Sequence, residues 1–187
     1  FHHNNTFSVV AEECRAVRTA VGINEIHNFG KYEVTGPGAE DYLNFIMANK
    51  MPKPGRITLT PMLSPSGKLI GDFTVSHIAN ERYQVTGSSG AQAYHMRWFE
   101  QHLPDDGVTI KNISLDRTGF QIAGPNAREL LSRTTRADVS NDSFPFLSVG
   151  EMEVGSAPAT VCRVSYTGDL GYEIYVPAAY QVSLYET

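Results

Sequence analysis

Val34-Thr35-Gly36-Pro37-Gly38-Ala39 and Ile122-Ala123-Gly124-Pro125-Asn126-Ala127 carry the same local instruction twice in one chain. Strand-like residues lead into each copy, Lys31 to Thr35 in the first and Phe120 to Ala123 in the second. Apolar residues at helical spacing follow, Ala39, Leu43 and Ile46 in one case and Ala127, Leu130 and Leu131 in the other. A proline just inside a helix start sacrifices no hydrogen bond, because the first-turn N–H groups have no intrahelical acceptor. Each copy therefore predicts a strand that turns sharply into a helix. The repeat, over 34–46 and 122–134, predicts two related αβ lobes.

Working outward, Val10, Cys14, Val17 and Val21 follow a helical stripe, which predicts a packing helix closed by Gly22. Ser64-Pro65-Ser66-Gly67 is a turn by composition. Leu69 to Ile78, Asn80-Glu81-Arg82 and Tyr83 to Thr86 give a strand, turn, strand pattern. A helix is predicted from Gly90 to Leu103, capped by Ser88 or Ser89, with Met96, Phe99 and Leu103 at core spacing and one of Trp98 and Phe99 facing the core. Ala159 to Ser165 and Gly171 to Val176 read as strands around the tight segment Thr167-Gly168-Asp169. The fold class is α+β with mainly antiparallel sheets.

The 187 residues carry 15 basic and 20 acidic side chains, without long runs of one sign, so neither nucleic acid nor an anionic membrane is an expected partner. No apolar run reaches the roughly 20 residues of a membrane span. Cys14 and Cys162 are far apart in segments that read as a helix and a strand, which is the usage of a reducing compartment, and both are expected to be buried. The expected location is cytoplasmic, or the mitochondrial matrix if the source is a eukaryote. Phe1, His2 and His3 read as a start in mid-sequence, and Val182 to Thr187 stop inside an apparent helix. His77, His95 and His102 have no metal-site spacing, so no metal is expected.

Asp72 is the first candidate for chemistry. Aspartate is depleted within strands, yet it sits between Ile70 and Thr74 on one face of Leu69 to Ile78. Either that face is wet or the carboxylate stands at a pocket wall. In Gly171 to Val176, period two puts Tyr172, Ile174 and Val176 on one face and Glu173 with Tyr175 on the other. Glu173 is then a second mid-strand carboxylate, exposed or able to accept two parallel N–H bonds from a nitrogen-rich ring. Tyr166 fits either a core or a stacking role.

Five blocks in order carry a family resemblance: Phe29 to Val34, Met62 to Lys68, Asp72 to Ser76, Ile122 to Arg128 and Ser165 to Tyr175. Together they resemble the folate-binding aminomethyltransferase family, which includes the glycine-cleavage T-protein, and most of all the C-terminal half of dimethylglycine and sarcosine dehydrogenases. The resemblance implies a T-protein-like fold and one folate-binding domain over 1–187, with a C-terminal barrel and its pocket arginine lying beyond the chain. It implies tetrahydrofolate as cofactor and one-carbon transfer giving 5,10-methylenetetrahydrofolate. Asp72 matches the catalytic aspartate beside the reactive nitrogens, Glu173 the pterin-reading glutamate and Tyr166 its tyrosine. Tyr83, Val85 and Thr86 match a strand whose backbone lines the pocket. Leu59 replaces a pocket tyrosine of T-proteins, and Gly71 an acidic residue often found there, which favours the dehydrogenase branch. The implied partners are a flavin dehydrogenase domain, with FAD held outside this chain, or a lipoyl carrier protein. The alternatives are a T-protein, a folate-dependent demethylase or a non-catalytic folate-binding module.

Overall fold

A computed structural model describes residues 4–187, so Phe1, His2 and His3 lie outside the described residues. In chain order the elements are α1 (Phe7–Thr19), β1 (Gly22–Glu25), β2 (Gly30–Thr35), α2 (Ala39–Ile46), β3 (Ile57–Leu63), β4 (Leu69–Ala79), β5 (Arg82–Gly87), α3 (Gln92–Gln101) and β6 (Thr109–Asn112). They continue with β7 (Arg117–Ala123), α4 (Ala127–Thr134), β8 (Val149–Val154), β9 (Ala157–Cys162), β10 (Gly171–Pro177) and α5 (Gln181–Glu186). Short 3-10 turns at Ser89–Ala91 and Ala178–Tyr180 introduce α3 and α5.

The strands form two antiparallel sheets, ordered β3-β4-β5-β2-β6 and β8-β9-β10-β7-β1. Position by position these are the same sheet. β2 and β7 are the equivalent strands, α2 and α4 follow them, and α3 and α5 follow β5 and β10. Only the edge differs. β6 flanks β2 within the first lobe, whereas β1 comes from the opposite end of the chain to flank β7, with Gly22 opposite Ala123. The second lobe is therefore built from two separated pieces of chain.

The two strand-to-helix corners share one geometry. Gly36 and Gly124 have φ of 115° and 132°, a region that side chains rarely adopt. The Ala39 N–H donates to the Gly36 carbonyl and the Ala127 N–H to the Gly124 carbonyl, both at 3.0 Å. A Cβ on Gly124 would stand 2.5 Å from the Ala20 carbonyl oxygen. Both alanines are fully buried, so each helix is pressed onto its sheet from its first residue.

Each sheet buries one face under its helices. Tyr32, Val34, Leu43, Phe73, Val75, Tyr83, Val85 and Phe99 form the first core, and Phe120, Ile122, Leu131, Val161, Tyr172 and Ile174 the second. Burying one such side chain contributes about 1.5–3 kcal/mol, so these two clusters hold each lobe. A third cluster, Ile26, Ile57, Val149, Cys162 and Tyr175, lies between the helix-free faces of the two sheets. Backbone bonds tie the lobes beside it, from Ile57 N–H to the Leu147 carbonyl and from Val149 N–H to the Gly55 carbonyl, both 2.9 Å.

Four local expectations are corrected. α1 buries none of its residues, so it is not a core packing helix; its apolar stripe is short, and only Ala11, Ala16 and Val17 are partly covered. Gly22 does not cap it, because the helix ends at Thr19 and Gly22 opens β1, where a Cβ would meet Val17 at 2.6 Å. Cys14 is exposed, as a consequence of that uncovered helix, while Cys162 is buried. The helix predicted from Gly90 begins as a 3-10 turn and becomes α-helical only at Gln92, with no side-chain cap from Ser88. Phe99 is its core residue and Trp98 is partly covered.

Candidate functional site

Beyond the third cluster the helix-free faces of the two sheets part, leaving a cleft of about 560 Å³. The first lobe supplies Leu59 from β3, Asp72, Phe73 and Thr74 from β4, Thr86 and Gly87 from β5, the turn 88–90, and Asn28 with Phe29. The second lobe supplies Glu173 and Tyr175 from β10 and Val164, Ser165 and Tyr166 from the segment before it. Asp72 and Glu173, far apart in sequence and on different sheets, thus line one hollow.

Alternation explains the placement. In β4, Phe73 and Val75 turn into the first core, which leaves Asp72 and Thr74 on the face toward the other sheet. Asp72 is exposed there. The ring of Phe73 also reaches the cleft, because it lies across Gly71 and Gly87: a Cβ on either glycine would be 2.6 Å from it. A Cβ on Gly71 would also be 2.7 Å from Nε2 of buried His95. Glycine at 71, one of the departures noted in the sequence, is thus matched to an aromatic cluster in which Phe73 meets His95 at 4.7 Å and the Tyr32 hydroxyl bonds His95 Nδ1 at 3.1 Å.

In β10, Tyr172, Ile174 and Val176 enter the second core and Glu173 and Tyr175 face the first lobe. The Tyr175 phenol donates to Glu173 Oε2 at 2.8 Å. Burial pushes the Glu173 carboxyl above its ordinary range, and the bond from Tyr175 partly offsets this by favouring the charged form. Glu173 faces Gln121 on β7 and Cys162 on β9 across the strand ladder. Burial, then the Glu173 charge, pushes the Cys162 thiol up to about 12.

Tyr166 stands at the lip with its side chain out, 83% exposed, which answers the core-or-pocket question in favour of the rim. Its backbone N–H donates to Oε1 of buried Gln121 at 2.8 Å, so the segment is anchored while the ring is not. Thr86 lines the cleft, but the side chains of Tyr83 and Val85 lie in the first core on the opposite face of β5. Tyr83 stacks on His77 at 4.1 Å and donates to Glu40 at 3.4 Å. Gln121, Phe73 and Tyr175 were not singled out from sequence as site residues. For Tyr175 a signal was present, since period two places it on the Glu173 face. Gln121 and Phe73 carry no such signal, because their roles depend on neighbours from other strands.

Among the described residues, no three His, Cys, Asp or Glu side chains group so as to hold a metal ion, and no helix is long and apolar enough to cross a membrane.

The family model described as the GCVT N-terminal domain matches residues 1–187. The chain belongs to this family. Human mitochondrial dimethylglycine dehydrogenase is 34% identical to this GCVT domain over 188 residues, which is all of this chain and 22% of that protein. The aminomethyltransferase of Bacillus subtilis (strain 168) is 32% identical over 171 residues, covering 90% of this chain and 47% of that one. The glycine cleavage system aminomethyltransferase T of Bartonella henselae superposes with a TM-score of 0.83 at 20% identity, covering 95% of this chain and 47% of that one. The GCVT domain therefore has the T-protein fold, and it spans only about a fifth to a half of these relatives.

Proposed function

We propose that this GCVT domain takes part in tetrahydrofolate-dependent one-carbon transfer with 5,10-methylenetetrahydrofolate as product, beside a flavin-containing amine dehydrogenase domain. The observation that carries the reading is the pair of carboxylates, Asp72 and Glu173, contributed by different sheets to a single cleft. The fit is chemical. Glu173 is a shielded carboxylate whose only protein donor is the Tyr175 phenol, among the described residues, and it has lone pairs left for two parallel N–H bonds from an amidine-like ring edge. Apolar walls at Phe29, Leu59 and Phe73 suit a flat ring, and the exposed Tyr166 ring is available to cover it.

When bound, tetrahydrofolate supplies the nucleophilic nitrogens that take up the one-carbon unit. Glu173 holds the nitrogen-rich edge and sets the ring's orientation. Asp72, exposed on the opposite wall, accepts a proton on a carboxylate oxygen and orients the reacting group, a contribution of about 10²–10⁴ in rate. The similarity to dimethylglycine dehydrogenase supports a methylated amine as the source of the carbon; an aminomethyl donor is the alternative that the aminomethyltransferase relative supports.

The test is titration of tetrahydrofolate into the full-length protein together with turnover measurements. Glu173→Ala is expected to bind about 10–100-fold more weakly, as for loss of a charge-assisted pair. Asp72→Asn is expected to keep its affinity and lose turnover. Equal affinity in Glu173→Ala would remove the pterin assignment, and equal turnover in Asp72→Asn would remove the base; binding without any turnover in the wild type would favour a non-catalytic folate module.

A further inference from the structure

Tyr175 does not touch the proposed ligand's nitrogen-rich edge, yet it is the residue on which Glu173 depends. A glutamate has three rotatable bonds, and a carboxylate that must accept two parallel N–H bonds is useful only when its plane is held. Tyr175 can hold it because the tyrosine is itself immobile. It is 1% exposed and packed in the cluster between the sheets with Ile57 of the first lobe and Val149 and Cys162 of the second.

Its phenol donates to Glu173 Oε2 at 2.8 Å, while its ring packs with Ile57 of β3 in the first sheet. One side chain thus touches both the carboxylate in β10 and the opposite lobe. Each carboxylate oxygen has two lone pairs, so the Tyr175 bond leaves Oε1 whole and Oε2 half free toward the cleft.

We propose that Tyr175 is a positioning residue which, packed against the first lobe at Ile57 and bonded to Glu173, locks the ligand-reading carboxylate to the opposite lobe. Recognition then requires the two sheets to be docked: any parting of the lobes at Tyr175 frees Glu173 to rotate. This rests on the folate reading for its ligand but not for its geometry. The titratable groups facing Glu173 are Tyr175 on its own strand, Cys162 across the ladder and Asp72 across the cleft. Neither the Cys162 thiol nor the Tyr175 phenol ionises in the acid range, and Asp72 is removed as a variable by repeating the measurements in Asp72→Asn.

The experiment uses the full-length protein and two readouts. The first is the carboxyl carbon of Glu173 in ligand-free protein, followed by NMR through an acid titration. Tyr175→Phe removes a donor that favours the charged form, so the Glu173 midpoint is expected to move up. The second is tetrahydrofolate affinity, expected to weaken about 5–10-fold. Ile57→Ala, which removes first-lobe packing on Tyr175, is expected to shift both in the same direction by less, and Ile57→Val, which keeps most of that packing, to leave both near wild type. An unmoved Glu173 midpoint in Tyr175→Phe overturns the proposal even if affinity falls, because that pattern is a packing defect. If Tyr175→Phe does not fold, the Ile57→Ala and Ile57→Val pair decides, and identical midpoints in the two overturn it. Wild-type protein that fails to bind tetrahydrofolate sinks the folate reading alone, since the midpoint is read without ligand.

Discussion

Ser76 Oγ and Cys162 Sγ meet 3.6 Å apart where β4 of one lobe faces β9 of the other. Both are buried, and the contact sits beside the apolar cluster that joins the sheets. The thiol behaves as a small apolar group there, and burial keeps it protonated, with its pKa pushed up to about 12. Cys14, by contrast, is exposed on α1. A thiol reagent at neutral pH is expected to modify Cys14 rapidly and Cys162 only after denaturant is added. Two equally fast thiols in the native protein would mean that the lobes part readily.

Gly71 is matched to the ring of Phe73. A methyl group at this position would approach that ring at 2.6 Å and His95 Nε2 at 2.7 Å, and both neighbours are buried. Gly71→Ala is expected to destabilise the protein by about 1–3 kcal/mol, the usual effect of overpacking a filled core. Urea unfolding measures it, and His95→Ala in the same background should recover part of the loss. An additive double variant would show that the clash is not with His95.

Lys31 has no exposed surface and donates from Nζ to the carbonyls of His27 at 2.9 Å and Phe29 at 2.7 Å, holding a wall of the cleft. Burial lowers its pKa from 10.5 to about 8. A depressed amine pKa means that the folded state releases the proton first. Stability attributable to Lys31 is therefore greatest above 10.5 and is lost as pH falls through about 8. Compared with Lys31→Met, the wild type is expected to gain stability as pH rises through that window. Parallel curves for the two proteins would contradict it.

The two glycine corners are expected to fail in the same way. Gly36 and Gly124 both have positive φ, and a Cβ on either would press on a carbonyl oxygen, of Gly107 at 2.3 Å and of Ala20 at 2.5 Å. Gly36→Ala and Gly124→Ala should each destabilise by about 1–3 kcal/mol. Chemical denaturation reads this. Gly124→Ala should also loosen β1, because Ala20 lies two residues before the start of that strand, and faster amide exchange at Ile23 would report it.

The acid dependence of ligand affinity follows from Glu173. Its folded pKa is raised by burial, so the ionised form is the one the fold disfavours and a ligand bearing N–H donors would favour. Tetrahydrofolate affinity is expected to fall as pH drops through the Glu173 midpoint, with proton release on binding near that midpoint. Calorimetry in buffers of different ionisation enthalpy measures the released proton; none released would separate Glu173 from binding.

Short-range features of the chain were legible before any coordinates. The Gly-Pro corners, the alternation in β4 and β10 and the apolar stripes of α2 to α4 depend on bond geometry and on neighbours a few residues away, so Asp72 and Glu173 could be assigned to faces from their parity alone. Tertiary structure decided what those faces meet. β1 joining the second lobe, α1 lying uncovered with Cys14 exposed, Phe73 spanning two glycines and Tyr175 bonding Glu173 all depend on residues brought together from distant segments. Such contacts are set by how two sheets dock, through packing and hydrogen bonds whose partners no local period specifies.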